Sequence, residues 1–112
     1  MIENIIERFV RYVKIDTQSD PKSTTTPSTV KQFDLARMLC QELQAMGLED
    51  AHTDIMCYTY ATLPSNLPIE HPAYGKVPAI GFVCHVDTSP DTTATGCNPH
   101  IHTFQHIMSG LV

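Results

Sequence analysis

The hydrophobic and polar positions in the first half of the chain predict two helices. Residues 2–13 place apolar side chains at the three- and four-residue spacing of one helical face, which we interpret as core-facing. We expect Ser28 or Thr29 to cap the second helix and Gly47, suited to a left-handed conformation, to end it. The apolar face of this second helix comprises Phe33, Ala36, Leu39, Cys40, Leu43 and Met46. Between the helices, residues 16–28 lack an apolar period and are predicted to form a loop.

Beyond Gly47 the pattern changes to that of strands. Residues 51–55 predict a weak strand, and residues 58–63 predict a stronger one, because they are rich in aromatic and β-branched side chains. The segment Ala79–Cys84 is almost continuously apolar and predicts a strand buried on both faces. Helices followed by such strands indicate the α/β class. After Asp91 the pattern fades into a polar, loop-like stretch.

Composition and charge narrow the function classes. A chain of 112 residues fits one small domain. Its net charge is −5 and its seven basic residues are scattered, which argues against nucleic acid as a partner. No run approaches the roughly 20 apolar residues of a membrane span, and no secretory signal is evident, so we expect a cytoplasmic protein without membrane contact. The four cysteines show no C-x-x-C spacing, and reduced thiols are favoured over disulfides.

Candidate chemistry lies where the apolar run ends. His85 and Asp87 follow Cys84 directly, and ligands of open α/β sheets bind beyond the carboxyl ends of strands. Residues two apart on an extended chain point to the same side, so Asp87 can orient His85 as a zinc ligand. On the spacing alone, an ordinary histidine at a strand end is the favoured interpretation. Cys84 faces the opposite side of the chain, which disfavours a Cys–His dyad.

Several segments, in order along the chain, resemble peptidase T, a family of two-zinc tripeptide aminopeptidases. The opening helix and its T-Q-S turn read IIERFVRYVKIDTQSD, a strand after the second helix reads YTYATLPSN, and the metal-turn segment that follows reads IGFVCHVDTSPD. The second helix ends in the M-G-L that the family also shows, and NPHI follows the metal turn. The resemblance spans residues 1–101, and residues 102–112 form an unrecognised tail.

The resemblance implies a zinc-exopeptidase-like α/β catalytic domain, present here as its incomplete N-terminal part, with two helices and then strands of a mixed sheet. It implies removal of the N-terminal residue from tripeptides by two zinc ions that activate water. His85 matches the first zinc-ligand position, and Asp87 matches the acidic residue that supports it and is our candidate catalytic residue. The further ligands of the family lie in motifs that do not occur in this sequence, so at most one ligand position is present.

Two interpretations of the whole chain therefore remain possible. The first is an N-terminal portion of the aminopeptidase that is inactive alone and binds zinc weakly. The second is a non-catalytic truncated product or interaction fragment, of marginal stability and prone to associate through the apolar strand. Truncation and a shifted reading frame would each produce the unmatched tail. Three histidines in and just before this tail, His100, His102 and His106, could form a metal site, but solvated side chains are the favoured interpretation. The oligomeric state is not determined by the sequence.

Overall fold

A computed structural model describes residues 4–103. The elements follow the order α1 (Ile5–Tyr12), α2 (Gln32–Ala45), β1 (His52–Thr53) and β2 (Thr59–Tyr60). The strands pair antiparallel, with His52 opposite Tyr60. The predicted α/β class and the order of helices before strands are confirmed. Within residues 4–103 the named strands form this one two-stranded antiparallel sheet, so the expected mixed sheet does not form there.

Helix α1 begins with a reciprocal cap that the periodicity did not reveal. The Oδ1 atom of Asn4 accepts from the backbone N–H of Glu7 at 2.9 Å, and the Glu7 carboxylate accepts from the N–H of Asn4 at 3.0 Å. This exchange satisfies two backbone donors that a helix start leaves open. The apolar stripe, by contrast, is largely exposed, with Ile5 at 82% and Phe9 at 63%. The core-facing interpretation of this stripe is therefore wrong in this structure.

Polar contacts, rather than the apolar stripe, join α1 to α2. Arg11 and Tyr12, at the end of α1, both donate to the carboxylate of Glu42. Arg11 also contacts Met38 Sδ at 2.9 Å. Burial tends to raise the pKa of Glu42, but the bonds from Tyr12 and Arg11 outweigh it and leave that pKa below its usual value. The side-chain hydrogen bonds from α1 to α2 thus centre on Glu42, while Ile5 and Phe9 of the apolar stripe remain largely exposed.

The end of α2 follows the sequence prediction, whereas its start does not. Gly47 has φ +92°, and the backbone bonds Leu48 N to Leu43 O and Gly47 N to Gln44 O form a Schellman closure. At the other end the helix begins at Gln32, after Lys31, which makes no side-chain cap. Neither expected capping residue has this role: the Thr29 hydroxyl bonds to the preceding loop, and the Ser28 hydroxyl bonds to that loop and to the side-chain amide of Gln32, at 3.0 Å. Ser28 accepts from the Asp20 N–H, and Thr29 donates to the Gln18 carbonyl.

The small core lies between α2 and the strands. Among residues 4–103 the buried hydrophobic side chains are Leu35, Ala36 and Ala51. The hydroxyls of Thr53 and Thr59 lie 2.9 Å apart, and the Ala36 carbonyl lies 3.4 Å from the first and 3.3 Å from the second. Because each hydroxyl has one proton, one of them donates to the other and the second donates to this carbonyl. The hairpin therefore packs on α2 through small residues that allow the two backbones to approach closely. We call α2 with β1 and β2 the α2–hairpin unit.

The prediction of a strand at Ala79–Cys84 is wrong in this structure. These residues form no strand, and Ile80, Phe82 and Val83 are 77%, 91% and 99% exposed. A strand exists only where a neighbour accepts and donates its backbone hydrogen bonds. The described residues offer no sheet beside this segment, since the hairpin is short and pairs with itself. Apolar composition alone could not supply the missing neighbour, and association through this segment stays a prediction.

Candidate functional site

The two residues singled out by the sequence lie together. The Nδ1 atom of His85 is 3.1 Å from Oδ1 of Asp87. An ionised carboxylate only accepts hydrogen bonds, so this contact favours the neutral tautomer with its proton on Nδ1. That tautomer leaves the Nε2 lone pair available to a ligand. The His85 side chain is 85% exposed and that of Asp87 is 41% exposed, so the pair is open to solvent.

A polar clamp holds the backbone of this pair. We use the term for the contact between residues 16–19 and residues 86–95. Thr17 donates through Oγ1 to the Val86 carbonyl at 2.9 Å, and its own carbonyl accepts from the Thr88 N–H at 3.2 Å. The Thr88 carbonyl in turn accepts from the Ser19 N–H at 3.0 Å and from Ser19 Oγ at 2.9 Å. Gln18 and Thr88 form a parallel bridge, so the two segments run side by side.

Gln18 extends the clamp beyond the metal-turn motif. Its side-chain amide donates to the Pro90 carbonyl at 3.0 Å and to the Thr92 carbonyl at 2.8 Å. One carboxamide can donate two hydrogen bonds, and here both go to a single turn. The backbone carbonyl of Gln18 accepts from Thr29 Oγ1 at 2.9 Å, which connects the clamp to the approach of α2. The residue therefore ties three segments that are distant in sequence.

Asp16 anchors the clamp electrostatically. Its Oδ1 lies 2.8 Å from Lys31 Nζ, and its Oδ2 accepts from Thr95 Oγ1 at 2.8 Å. The bond from Lys31, followed by those from the Gln18 N–H and Thr95, lowers the Asp16 pKa from 3.8 to about 2. The carboxylate consequently stays ionised over the ordinary pH range. A side chain that showed no catalytic pattern in the sequence thus has a structural role beside the candidate site.

The groove next to the clamp is not lined by His85, the candidate metal ligand. An open groove of about 520 Å³ is lined by clamp and loop residues that include Gln18, Asp20 and Lys31, but by neither His85 nor Asp87. Within residues 4–103, no group of three or more His, Cys, Asp or Glu side chains is arranged to hold a metal ion. The described chain therefore offers one imidazole with an orienting carboxylate, which fits one ligand position and its support.

The other candidate residues are the cysteines and the histidines near the C-terminal tail. Cys84 is exposed, and all four cysteines are unpaired thiols. Burial raises the pKa of the Cys57 thiol, which disfavours the reactive thiolate there. His100 lies 3.4 Å from the Asn98 side-chain amide. His106 and most of the predicted tail 102–112 lie outside the described residues, so the preferred solvated tail and the alternative metal site both stay untested.

Comparison with known proteins addresses the resemblance directly. The chain is 52% identical over 101 residues to peptidase T of Geobacillus thermodenitrificans, which is 90% of this chain and 23% of that protein. It is 48% identical over 100 residues to peptidase T of Alkaliphilus oremlandii, covering 89% of this chain and 24% of the relative. Peptidase T of Staphylococcus aureus is 50% identical over 101 residues, again 90% and 23%. The resemblance to peptidase T is confirmed.

The extent of the match is as informative as its strength. The chain spans about a quarter of the length of these peptidase T relatives. No protein-family model matches the chain. Within the described residues, no helix has both the length and the apolar character needed to cross a membrane. The shared name of these relatives describes a peptidase.

The sequence singled out His85 and Asp87 as candidates but missed the residues that hold their backbone. Thr17 and Gln18 belong to the T-Q-S turn that entered only as part of the resemblance, and Asp16 showed no distinguishing pattern. The sequence offered only indirect evidence that these loop residues have a role. A 13-residue polar loop with two prolines, sitting between two helices, is often functional or anchored elsewhere. Its partner, about 70 residues away, could not be identified from that signal.

Proposed function

We propose that this chain carries the first metal-ligand turn of a cytoplasmic, zinc-dependent tripeptide aminopeptidase of the peptidase T type, within residues 1–101. The observation that carries the proposal is the His85–Asp87 contact of 3.1 Å on an exposed turn. In this role His85 binds a zinc ion through Nε2, and Asp87 holds the ring in the required tautomer and orientation. Small peptides are the substrate class that the family relationship supports.

The chemistry divides between the metal and the chain. Zinc bound at such a site supplies Lewis acidity toward a peptide carbonyl and lowers the pKa of water. His85 contributes one neutral nitrogen ligand, Nε2. Asp87, bonded to the other ring nitrogen, raises the basicity of Nε2 and fixes the orientation of the ring. The polar clamp keeps both residues on one turn. A catalytic zinc site takes about three protein ligands, so we propose that the 112-residue chain alone does not hydrolyse tripeptides.

A chimera tests the proposal at the level of the whole enzyme. The 101 matched residues of Geobacillus thermodenitrificans peptidase T are replaced by their counterparts from this chain. We expect the chimera, loaded with zinc, to hydrolyse a tripeptide. His85→Ala should remove nearly all activity and weaken the binding of the zinc ion that His85 holds, and Asp87→Asn should lower activity or zinc affinity by about 10- to 100-fold.

The control for this experiment is a histidine away from the turn. His71 is exposed, and its ring accepts a local bond from the Ala73 N–H at 3.1 Å. His71→Ala should leave both zinc content and turnover unchanged. An active chimera whose His85→Ala variant retains its zinc and its rate would show that this turn is not a ligand. Equal losses in the His71 and His85 variants would point to general damage and contradict the proposed role.

A further inference from the structure

Thr17 is the most deeply buried polar residue of the described chain, with 1% of its surface exposed. A buried hydroxyl normally has a hydrogen-bond partner, because an unpaired one costs free energy. The partner here is the Val86 carbonyl, at 2.9 Å. Val86 is the residue between His85 and Asp87. Among residues 4–103, the fully buried hydroxyl of Thr17 is therefore directed at the backbone of the candidate site.

The two bonds of Thr17 flank Asp87. The Val86 carbonyl belongs to the peptide unit that leads into Asp87, and the Thr88 N–H belongs to the unit that leads out of it. Thr17 contacts the first through Oγ1 and the second through its own carbonyl, at 3.2 Å. Peptide units are planar and rigid, so a residue between two held units has little freedom in φ and ψ. The direction of the Asp87 side chain is thereby restricted.

We propose that Thr17 is a positioning residue that acts through Asp87 on His85. By holding the Val86–Asp87 peptide unit, its hydroxyl keeps the Asp87 carboxylate within reach of His85 Nδ1 and so keeps the proton on that nitrogen. The Nε2 lone pair is then presented to a ligand. The inference rests on the proposed function for its purpose, since presenting Nε2 matters only if His85 binds metal. Its geometry, however, can be measured without metal.

The measurement is the tautomer ratio of the His85 ring in the metal-free 112-residue chain. Nitrogen NMR shifts of Nδ1 and Nε2 report it at about pH 9, where histidine side chains are neutral. Thr17→Val removes the hydroxyl and keeps the shape and the Thr17 carbonyl. We expect the ratio of the Nδ1–H to the Nε2–H tautomer to fall about two- to tenfold, the effect of one lost hydrogen bond. Asp87→Ala, which removes the side-chain acceptor, defines the fully released ring.

Matched variants separate positioning from general stabilisation. Thr17→Ser retains the hydroxyl and should retain the tautomer ratio. Thr53→Val removes a half-buried hydroxyl from the α2–hairpin unit, where it bonds to Thr59 and Ala36, and should leave His85 unchanged. If Thr17→Val fails to fold, Thr17→Ser and Thr17→Ala can be compared, because they lose the same methyl group and differ only in the hydroxyl. Circular dichroism establishes which variants are folded.

The outcomes are distinct. A wild-type tautomer ratio in folded Thr17→Val, or an equal shift in Thr53→Val, would overturn the inference. A shift in Thr17→Val that Thr17→Ser does not share supports it. Zinc is then added to the wild-type chain. A zinc response at His85 Nε2 supports the proposed metal role, whereas its absence even at high zinc concentration would count against that role alone. The tautomer ratios decide the Thr17 inference in either case.

Discussion

The α2–hairpin unit and the polar clamp are held by different kinds of contact. In the first, Leu35, Ala36 and Ala51 are removed from water, and the elements that meet are neighbours in sequence. In the second, Thr17, Gln18 and Ser19 reach residues about 70 positions later through hydrogen bonds, most of them to backbone carbonyls. Apolar burial is non-directional, whereas hydrogen bonds specify the orientation of what they hold. The candidate site lies in the region where orientation matters.

The largest expected effect comes from removing apolar burial in the first region. Leu35 is 5% exposed, so Leu35→Ala should destabilise the α2–hairpin unit by about 2–4 kcal/mol through lost burial and the cavity left behind. Urea denaturation followed by circular dichroism measures the loss. Leu63 is 83% exposed, and Leu63→Ala should change the stability by less than about 0.5 kcal/mol.

The same variant tests whether the two regions are independent. Amide exchange of Thr88, whose N–H bonds to Thr17, reports on the clamp, and that of Asp54, whose N–H bonds to the Tyr58 carbonyl, reports on the hairpin. We expect Leu35→Ala to accelerate exchange at Asp54 far more than at Thr88. Equal acceleration at both amides would show that the two regions are not independent and that the chain opens as one unit.

A smaller effect should come from breaking the clamp. Gln18→Glu replaces the amide that donates to the Pro90 and Thr92 carbonyls by an acceptor facing the same two oxygens. Two lost hydrogen bonds should cost about 1–3 kcal/mol locally. Thr88 exchange should accelerate roughly tenfold or more, while Asp54 exchange stays unchanged.

Gln44 offers the matched control for this substitution. Its side-chain amide donates to the Ala51 carbonyl at 2.9 Å, within the other region. Gln44→Glu should therefore leave Thr88 exchange unchanged and affect the hairpin side instead. If the two Gln→Glu variants change Thr88 exchange equally, the added negative charge rather than the lost bonds is responsible.

The smallest expected effect is a dependence of the clamp on acid. Because the Asp16 pKa is lowered from 3.8 to about 2, its contribution to stability is fully present above the usual value and is lost as the pH falls toward about 2. Carbon NMR of the Asp16 carboxyl should show this titration, with clamp amides becoming less protected over the same range. Asp16→Asn should remove that pH dependence. A titration near 3.8 in the wild-type chain would mean that Lys31 and Thr95 do not hold the carboxylate.

Local patterns along the chain were sufficient for the elements whose partners are near. The second helix, its end at Gly47 and the adjacent pair of strands were all predicted, although the strands are shorter than expected. Periodicity and the left-handed preference of glycine act within a few residues, so they are readable from sequence. The motif at His85 and Asp87 was likewise recognisable, because its spacing and its resemblance to peptidase T are properties of consecutive residues.

The tertiary structure alone decided what each pattern contacts. The apolar stripe of α1 and the run 79–84 meet no described cover, although their composition is that of buried elements. Ser28 and Thr29 have good capping side chains, yet the loop before α2 uses their hydroxyls for other bonds. The pairing of Thr17 with Val86 joins residues 69 positions apart, and no local property of either residue encodes it. A hydrogen bond forms only between groups that the folded chain brings within about 3 Å of each other. Which groups these are depends on the tertiary structure.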